Sequence, residues 1–302
     1  MKRAVSISLG SSKRDKAVEV ELLGQRVCIE RIGADGDMEK AARLYQELDG
    51  QVDAFGVGGA DLGLMVADKW YPLHSVKPMV RFVKKTPLVD GTGLKNTLEK
   101  RVAPFMDAHI GADLHPKRVM MTGGADRWGM TRSFIDAGYE AVFCDLMFGL
   151  GIPIPLRSPE TVKRLAAIVM PIAGRLPFDW VYPTGEKQEK RTPKYGQWYA
   201  WAAIIAGDCH YIKRYMPARL DGKTICTNTT TREDVETFRA AGVRHLVTTT
   251  PVMEGRSFGT NMLEAALIAA SGKRRVLTQP ELEAMINQLG FEPSLQTLNA
   301  AK

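Results

Sequence analysis

The stretch VMMTGGADRWGMTRSF (119–134) passes from an apolar run into two consecutive glycines and then into a segment with helical spacing of apolar residues. Glycines that directly follow a strand let the main chain approach a ligand closely, and the next helix N-terminus offers free N–H groups to a phosphate. The stretch therefore predicts a strand–loop–helix unit that binds a nucleotide or another phosphate. The residues expected to contact such a ligand are Thr122, Gly123, Gly124, Arg127 and Gly129.

Asp145 ends the next predicted strand, 22 residues after Gly123. A dinucleotide-binding unit places an acidic residue at about this distance, where it binds the ribose hydroxyls. The loop reads GGADRWG rather than GxGxxG, however, and Asp126 would stand near the pyrophosphate, where a carboxylate costs energy unless Arg127 or Arg132 neutralises it. Asp126 could equally cap the helix. Dinucleotide binding, binding of another phosphate or nucleotide, and a purely structural turn are the three interpretations of this loop.

From residue 115 onward, predicted strands alternate with predicted helices, which is typical of a parallel sheet with right-handed crossovers. Such sheets bind ligands at the carboxyl ends of their strands. The predicted strands are KRVMMTGG (117–124), YEAVFCD (139–145), FDWVYP (178–183), GKTICTN (222–228) and VRHLVTTTP (243–251). The long apolar segment KYGQWYAWAAIIAGDCHYIKRYM (194–216) is predicted to form one helix.

The first third of the chain predicts a mixed sheet with helices. AVSISL (4–9) has strand alternation, and VEVELLG (18–24) and RVCIERIG (26–33) predict an antiparallel hairpin. Asp37 is placed to cap a helix that stops at Gly50. We therefore predict an α/β protein whose N-terminal mixed α/β region precedes a Rossmann-like parallel sheet flanked by helices. The predicted boundaries are 1–114 for a substrate domain, 115–290 for the Rossmann-like domain and 291–302 for a flexible tail.

The composition excludes several classes of protein. Hydrophobic residues make up 45% and charged residues 25% of the 302 residues, so wholesale disorder is excluded. The sequence has no apolar run of membrane-spanning length and no signal-like start, so we expect a cytoplasmic protein without a membrane partner. The net charge of +7 comes from scattered basic residues, which disfavours nucleic acid and suits a solvated surface or an anionic small molecule. The four cysteines form no CxxC pair, so we expect neither disulfides nor a metal site.

A second candidate site is TPLVDGTGLKNTLEKR (86–101), where a strand ends at Asp90 and a helix starts near Lys95. A lysine at a helix start is unfavourable for the helix dipole, which hints at a role in binding an anion or moving a proton. Asp90 is close enough in sequence to hold the ammonium, and such a pair can serve as a general base. The alternative is a surface lysine beside a capping turn.

Three further loops carry weaker signals. SLGSSKRD (8–15) offers Ser11 and Ser12 to a polyhydroxylated or carboxylate ligand, or is an exposed turn. TTTPVMEGRSFGTN (248–261) is a second loop rich in glycine and hydroxyl groups before a helix. Its candidate contacts to a phosphate or carboxylate are Thr249, Arg256, Ser257, Thr260 and Asn261. VGGADLG (57–63) echoes TGGADRWG (122–129), which indicates either an old duplication or coincidence.

Three stretches of the chain resemble the bacterial proteins labelled quinate 5-dehydrogenase, a label related to the shikimate and quinate dehydrogenases. The stretches are SISLGSSKRDKAVEVELLG (6–24), VDGTGLKNTLEKRV (89–102) and VMMTGGADRWGMTRSF (119–134). The resemblance implies an N-terminal substrate domain, a nicotinamide-binding Rossmann domain and a Lys–Asp pair that carries the proton of the oxidised hydroxyl.

The resemblance also implies roles for individual residues. Lys95 matches the catalytic lysine and Asn96 its neighbouring polar ligand, while Asp90 would stand for an aspartate that follows the lysine in the family. Ser11 and Ser12 correspond to residues that hold the substrate carboxylate. The glycines of the loop at 122–129 would form the dinucleotide loop.

Two functional hypotheses follow. The first is an NAD(P)-dependent dehydrogenase of a hydroxylated cyclic acid such as quinate or shikimate, with NAD favoured over NADP because Asp145 would face the ribose. The second is a non-redox nucleotide- or phosphometabolite-binding protein, or a transferase with two Rossmann-like halves. Both predict an anionic or polyhydroxylated small-molecule partner, and both are compatible with a homo-oligomer.

Overall fold

The computed structural model describes residues 1–178, 191–253 and 256–300, except for the side chains of residues 252, 253, 256 and 257. The predicted α/β class is confirmed, because helices flank two sheets rich in parallel strands. The predicted strand FDWVYP (178–183) lies outside the described residues beyond its first position. In the described part of the chain, no helix is long and apolar enough to cross a membrane.

The strands are β1 (Lys2–Ser8), β2 (Lys16–Leu22), β3 (Gln25–Gly33), β4 (Ala54–Gly58), β5 (Gly63–Val66), β6 (Lys69–Pro72), β7 (Leu88–Val89), β8 (Arg118–Met121), β9 (Glu140–Phe143), β10 (Ile204–Gly207), β11 (Thr224–Thr227), β12 (His245–Thr248), β13 (Val252–Met253), β14 (Arg256–Ser257) and β15 (Ser294–Thr297). The α-helices are α1 (Met38–Leu48), α2 (Lys77–Val80), α3 (Thr92–Thr97), α4 (Val102–Ile110), α5 (Trp128–Asp136), α6 (Pro159–Ala173), α7 (Gly196–Trp201), α8 (Cys209–Tyr215), α9 (Arg232–Ala240), α10 (Thr260–Ser271) and α11 (Gln279–Gln288). Short 3₁₀ turns cover Ser12–Arg14, His74–Val76, Leu98–Arg101 and Gly111–Leu114, and one π-helical turn covers Asp145–Gly149.

The chain forms two compact units, and each unit is assembled from separate segments. The first unit contains Met1–Thr97, Ile168–Lys187 and Gly259–Phe291, and the second contains Leu98–Ala167, Gln188–Phe258 and Glu292–Lys302. This division differs from the predicted consecutive domains with a boundary at 114. The reason is that α10, far along the chain, packs on β1, β3 and β4 of the N-terminal sheet.

The first unit has a five-stranded sheet in the order β2–β3–β1–β4–β7, in which only β2 is antiparallel to its neighbour. Alternate residues of β1 and β4, such as Ile7 and Phe55, point to the face where they pack with Tyr45 of α1. The opposite face carries Ser6, whose hydroxyl accepts a hydrogen bond from Asn261 of α10 at 2.7 Å. The predicted hairpin at 18–33 and the cap at Asp37 are confirmed.

The second unit has a six-stranded sheet in the order β15–β12–β11–β10–β8–β9. The strands from β8 to β12 are parallel, and along the chain their order is 2-1-3-4-5, which is a doubly wound arrangement. The strand order reverses between β8 and β10, so this is the topological switch point of the sheet. Ligands in folds of this kind bind at the carboxyl ends of the strands that flank the switch point.

The prediction of one long helix over 194–216 was wrong, because the segment contains α7, β10 and α8. The central strand of a parallel sheet is buried on both faces, so its sequence is continuously apolar and resembles part of a buried helix. Gly207 ends the strand with φ of +137°, and Asp208 then caps α8 by accepting the N–H of His210 at 2.9 Å.

The prediction of a flexible tail from residue 291 was also wrong. Strand β15 pairs antiparallel with β12, with Leu295 opposite Val247. Leu298 is buried, and its N–H donates to the carbonyl of Arg244 at 2.8 Å. The described part of the tail, up to residue 300, is therefore ordered because it completes the edge of the second sheet.

Candidate functional site

The switch point of the second unit is closely packed. A β-carbon at Gly207, at the end of β10, would collide with the Thr122 hydroxyl at the end of β8. By contrast, a β-carbon at Gly123 would meet no atom within 4 Å. The loops that follow β8 and β10 therefore leave the sheet side by side, which is the place where the sequence predicted a ligand.

The glycine loop after β8 is bonded to Asp145, not left open. The Asp145 carboxylate accepts the N–H of Gly124 at 2.9 Å and the N–H of Ala125 at 2.8 Å, while the Thr131 hydroxyl donates to the Gly124 carbonyl at 2.9 Å. Burial raises the pKa of Asp145, although these two N–H groups oppose the rise. Asp145 thus accepts hydrogen bonds from two main-chain N–H groups of the loop that the sequence predicted to bind a phosphate.

Arg127 lies buried at the same loop and is surrounded by carboxylates. Its guanidinium donates to Glu99 Oε1 at 2.6 Å and to Asp208 Oδ2 at 3.1 Å, and its Nε lies 3.3 Å from Asp126 Oδ2. Burial alone would lower the pKa of Arg127, but the charges of the three carboxylates raise it above its usual range. Asp126 therefore contacts one of the two cations that the sequence proposed for it, while the other, Arg132, pairs with Asp136.

The loop as arranged does not fit a diphosphate. The N–H groups of Gly124 and Ala125 are bonded to Asp145, and the Arg127 guanidinium is bonded to carboxylates. Gly129 is buried in the first turn of α5. A diphosphate would have to displace an internal carboxylate before it could bind here.

In the first unit, the structure gives Lys95 a carboxylate partner. Lys95 is only 6% exposed, and its Nζ lies 2.8 Å from Asp61 Oδ1. Asp61 follows β4 in the loop GGAD, and Lys95 belongs to α3, which follows β7. Because β4 and β7 are parallel neighbours, both residues lie at the carboxyl edge of the sheet.

The expected partner Asp90 has a different role. Its carboxylate accepts the N–H of Leu62 at 2.7 Å and the N–H of Thr92 at 3.0 Å. It therefore fixes the loop after β4 and the start of α3, while Asp61 is a carboxylate that pairs with Lys95. Asn96, the predicted polar ligand, donates through Nδ2 to the carbonyl of Thr92 at 3.1 Å, so this amide group is used within the helix.

Glu264 of α10 is a buried acid beside this pair. Its carboxyl accepts the N–H of Leu94 at 3.3 Å. Burial, with a contribution from the charge of Asp90, raises the pKa of Glu264 to about 8, although Lys95 acts in the opposite direction. Glu264 is therefore mostly protonated at neutral pH.

The loop that carries Ser11 and Ser12 is held by its main chain. Arg31 donates to the Ser11 carbonyl at 3.0 Å, and the Ser12 N–H donates to Asp35 Oδ1 at 2.7 Å. The Ser11 hydroxyl accepts the N–H of Lys13 at 3.2 Å and caps a 3₁₀ turn. The loop is thus a rigid, exposed turn at the carboxyl end of β1.

The predicted contacts in the loop at 248–261 belong to different units of the chain. Thr260 and Asn261 begin α10 and pack against glycines of the first sheet, with the Asn261 carbonyl 2.9 Å from where a β-carbon of Gly56 would lie. Thr249 is fully buried after β12 in the second unit. The side chains of Arg256 and Ser257 lie outside the described residues.

Comparison with known proteins identifies a family. Residues 93–298 match the family model described as "Domain of unknown function (DUF8754)". The chain belongs to the DUF8754 family. In this DUF8754 protein, residues 3–90 also match the model described as "Domain of unknown function (DUF8753)". A search of the curated proteins gives no match.

The DUF8754 chain has distant similarity to solved structures. The NAD-dependent malic enzyme from Thermotoga maritima is 13% identical with a TM-score of 0.37, over 94% of this chain and 75% of that one. The glucose-galactose binding protein GanP from Geobacillus stearothermophilus is 9% identical with a TM-score of 0.37, over 98% and 97%. A sugar ABC transport substrate-binding protein from Bordetella parapertussis is 10% identical with a TM-score of 0.32, over 96% and 80%.

Sequence reasoning missed three acids of the DUF8754 protein's candidate sites: Asp61, Glu99 and Asp208. Asp208 was hidden because the strand before it was predicted as helix. Asp61 carried a usable signal, since the echo between 57–63 and 122–129 places an aspartate at the same position of each GGAD loop. Glu99 gave no sequence signal, because only the folded chain brings it to Arg127.

Proposed function

We propose that the protein is an enzyme that acts on a hydroxylated small acid, such as quinate or shikimate, and that Lys95 exchanges a proton with a hydroxyl of the substrate. The observation that carries this proposal is the buried ion pair of Lys95 with Asp61 at the carboxyl edge of the first sheet. Sheets of this kind bind ligands at that edge. The pair supports the proposal because it holds a proton donor and a proton acceptor at the edge where a substrate would bind.

The pair of Lys95 and Asp61 can move a proton in either direction. When a substrate oxygen gains a proton, the Lys95 ammonium gives up one N–H proton and becomes a neutral amine. In the reverse direction, the neutral amine takes the proton of the substrate hydroxyl, and Asp61 stabilises the ammonium that forms. A positioned acid–base group speeds such a transfer by roughly 10²–10⁴.

The loop Ser11–Arg14 supports an acidic substrate. It follows β1, which is the parallel neighbour of β4, so it leaves the same edge of the sheet as the loop that carries Asp61. Ser11, Lys13 and Arg14 of this loop are exposed and Ser12 is half-buried, so the loop presents hydroxyls and two cations. These groups supply hydrogen-bond donors and positive charge to a carboxylate.

An NAD(P)-dependent dehydrogenase is the redox form of this proposal. The specific observation in its favour is the Gly123–Gly124 loop at the switch point of a 2-1-3-4-5 sheet, the usual location of a nucleotide. A dehydrogenase of this kind requires that Asp145 release the N–H groups of Gly124 and Ala125, or that the nucleotide bind without using them. The second candidate, a non-redox enzyme, needs no such rearrangement.

The experiment that tests the proposal is a turnover assay followed by proton NMR. Quinate and shikimate are each incubated with the purified protein, alone, with NAD⁺ and with NADP⁺, and absorbance at 340 nm is recorded in parallel. We expect a product from at least one of the two acids. A product that appears only with a nucleotide, together with absorbance at 340 nm, supports the dehydrogenase. A product without a nucleotide supports the non-redox enzyme, and no product under any condition contradicts the proposal.

A further inference from the structure

His245, the first residue of β12, contacts a threonine hydroxyl with one ring nitrogen and a carboxylate with the other. Its Nδ1 lies 3.2 Å from Thr297 Oγ1, and its Nε2 lies 3.0 Å from Asp113 Oδ2. All three residues belong to the second unit. A hydroxyl, an imidazole and a carboxylate that are hydrogen-bonded in this order form the arrangement that activates a nucleophile in acyl-transfer enzymes.

The Asp113 carboxylate fixes the direction of both hydrogen bonds. The hydrogen bond from His245 lowers the pKa of Asp113, and the charge of Arg244, whose Nη1 lies 2.8 Å from Asp113 Oδ1, acts in the same direction. Ionised Asp113 can only accept a hydrogen bond, so neutral His245 carries its proton on Nε2. Nδ1 then has a free lone pair, to which the Thr297 hydroxyl donates. His245 is thus placed as a general base for Thr297.

The register of the sheet brings the imidazole and the hydroxyl together. His245 lies directly opposite Thr297 in the antiparallel pair of β12 and β15. The adjacent pair is hydrogen-bonded, because the Leu298 N–H donates to the Arg244 carbonyl at 2.8 Å. Since the two kinds of pair alternate along an antiparallel ladder, His245 and Thr297 form a non-hydrogen-bonded pair, in which the side chains lie closest.

The same register directs the main-chain N–H of Thr297 to the open side of β15. The N–H groups of a non-hydrogen-bonded pair point away from the partner strand, and β15 is the outer strand of the six-stranded sheet as far as the structure describes it. This N–H can donate to an oxyanion that forms beside the hydroxyl of the same residue. Thr297 is an exposed residue, so a substrate can reach its hydroxyl from solvent.

We propose that Thr297 is the nucleophile of a second active site, which hydrolyses esters of short acids such as acetate. His245 is its general base, and Asp113 is the residue that positions the imidazole. The open strand edge and the methyl group beside the threonine hydroxyl favour a small, unbranched acyl group. This site is separate from the acid–base pair of the first unit, and it does not depend on the proposed function.

The reaction has two steps. Thr297 Oγ1 attacks the carbonyl carbon of the ester while His245 Nδ1 takes the hydroxyl proton. The bond from the acyl carbon to the leaving oxygen then breaks, and the proton passes from Nδ1 to that oxygen, which leaves acetyl-Thr297 and a free alcohol. In the second step, water attacks the acyl carbon and gives one proton to Nδ1. The bond to Oγ1 breaks, Oγ1 takes this proton, and acetic acid is released.

The test is hydrolysis of p-nitrophenyl acetate by the full chain, followed by the absorbance of p-nitrophenolate. We expect Thr297→Val to lose roughly 10²-fold or more in kcat, and Thr297→Ser to retain at least the wild-type rate because serine supplies the hydroxyl with less steric hindrance. Thr161→Val is the matched control and should keep the wild-type rate. Thr161 is also an exposed threonine of the second unit, but its hydroxyl lies 2.9 Å from Ser158 Oγ and not beside an imidazole.

Two outcomes of this assay would overturn the proposal. The first is a wild type that releases no p-nitrophenolate above the rate in buffer. The second is equal rates for Thr297→Val and Thr161→Val, which would mean that other surface nucleophiles react with the ester.

Mass spectrometry of the acid-quenched reaction locates the acyl group. We expect an acetyl group on the wild-type peptide that contains Thr297, bound to the threonine oxygen. Acetyl groups on lysines alone, at the same level in the wild type and in Thr297→Val, would refute the site.

The variant Asp113→Asn tests the positioning of the imidazole. An amide of the same shape can also donate to Nε2, so His245 can adopt the tautomer that no longer accepts the threonine proton. We expect kcat to fall while KM and the melting temperature stay unchanged. An unchanged kcat would contradict the role of Asp113.

Discussion

The Nζ of Lys95 lies 2.8 Å from Asp61 Oδ1, and this aspartate ends the GGAD sequence that follows β4. The second GGAD sequence, after β8, ends at Asp126, whose carboxylate lies 3.3 Å from the Nε of buried Arg127. In each unit, therefore, the aspartate of a glycine loop neutralises a cation that is almost removed from water. The two loops differ in the chemistry that their cations allow, because Lys95 can lose a proton and Arg127 cannot.

We predict that Asp61→Asn destabilises the fold. The substitution keeps the size of the side chain but leaves the buried Lys95 ammonium without this carboxylate, so we expect the free energy of unfolding to fall by about 3 kcal/mol in urea. The double variant Asp61→Asn, Lys95→Met should lose less than the sum of the single variants.

The matched control for that prediction is Glu19→Gln. Glu19 pairs with Arg26 on the exposed hairpin, where more than half of each side chain faces water. Loss of such an exposed pair leaves the free energy of unfolding almost unchanged, because water screens both charges. An Asp61→Asn variant as stable as Glu19→Gln would show that burial of the Lys95 pair has no energetic consequence.

We predict that Asp145 stabilises the fold through its hydrogen bonds to the loop after β8. Asp145→Ala removes the acceptor of two main-chain N–H groups, and we expect a loss of about 2 kcal/mol in the free energy of unfolding. Asp145→Asn keeps one acceptor oxygen and should lose less. Urea denaturation followed by circular dichroism measures both losses, and unchanged stability of the alanine variant would rule out this role.

Gly207 should tolerate no side chain. Its φ of +137° is strained for any other residue, and a β-carbon would collide with the Thr122 hydroxyl. We expect Gly207→Ala to lower the free energy of unfolding by about 3 kcal/mol or to prevent folding. Gly123→Ala is the control, because a β-carbon there meets nothing within 4 Å. Similar melting temperatures for the two variants would contradict the packing at the switch point.

Glu264 should make the stability depend on pH. Its pKa is raised from 4.5 to about 8 in the folded chain, so between these values the folded state binds a proton that the unfolded state has lost. The contribution of Glu264 is fully present below pH 4.5 and is lost as the pH rises through about 8, with a slope on the order of 1.4 kcal/mol per pH unit.

The variant Glu264→Gln isolates this effect, since an amide of the same shape does not titrate. We expect the wild type to lose stability relative to the variant between pH 5 and pH 7.5, measured by urea unfolding at each pH. Parallel pH profiles of the two proteins would mean that Glu264 is ionised in the folded chain.

The α/β class and the N-terminal hairpin could be predicted because alternation and turn residues are local signals. Strand β10 could not be predicted, because a strand buried on both faces has no alternation of apolar and polar residues to distinguish it from a helix. Lys95 was identified because the sequence placed it at a helix start, but α3 begins at Thr92 and Lys95 lies in its last turn, so that premise was wrong. Its partner was not identified, because Asp61 is 34 residues away and reaches Lys95 only once β4 and β7 are paired.

The role of Asp145 shows a different limit of sequence reasoning. Its distance from Gly123 matched a ribose-binding acid, and the strand before it was correctly predicted. The same position, however, lets its carboxylate reach the main chain of the neighbouring loop, and spacing alone cannot distinguish a ligand contact from an internal one.

The decisive measurement for the role of Lys95 is the rate of proton transfer to the substrate. It is measured by NMR, with the acid that the wild type converts, for the wild type, Lys95→Met and the control Lys100→Met, whose lysine is exposed five residues further on. We expect Lys95→Met to lose roughly 10²–10⁴ in kcat while Lys100→Met retains the wild-type rate. A Lys95→Met variant that works within a few-fold of the wild type would contradict this role.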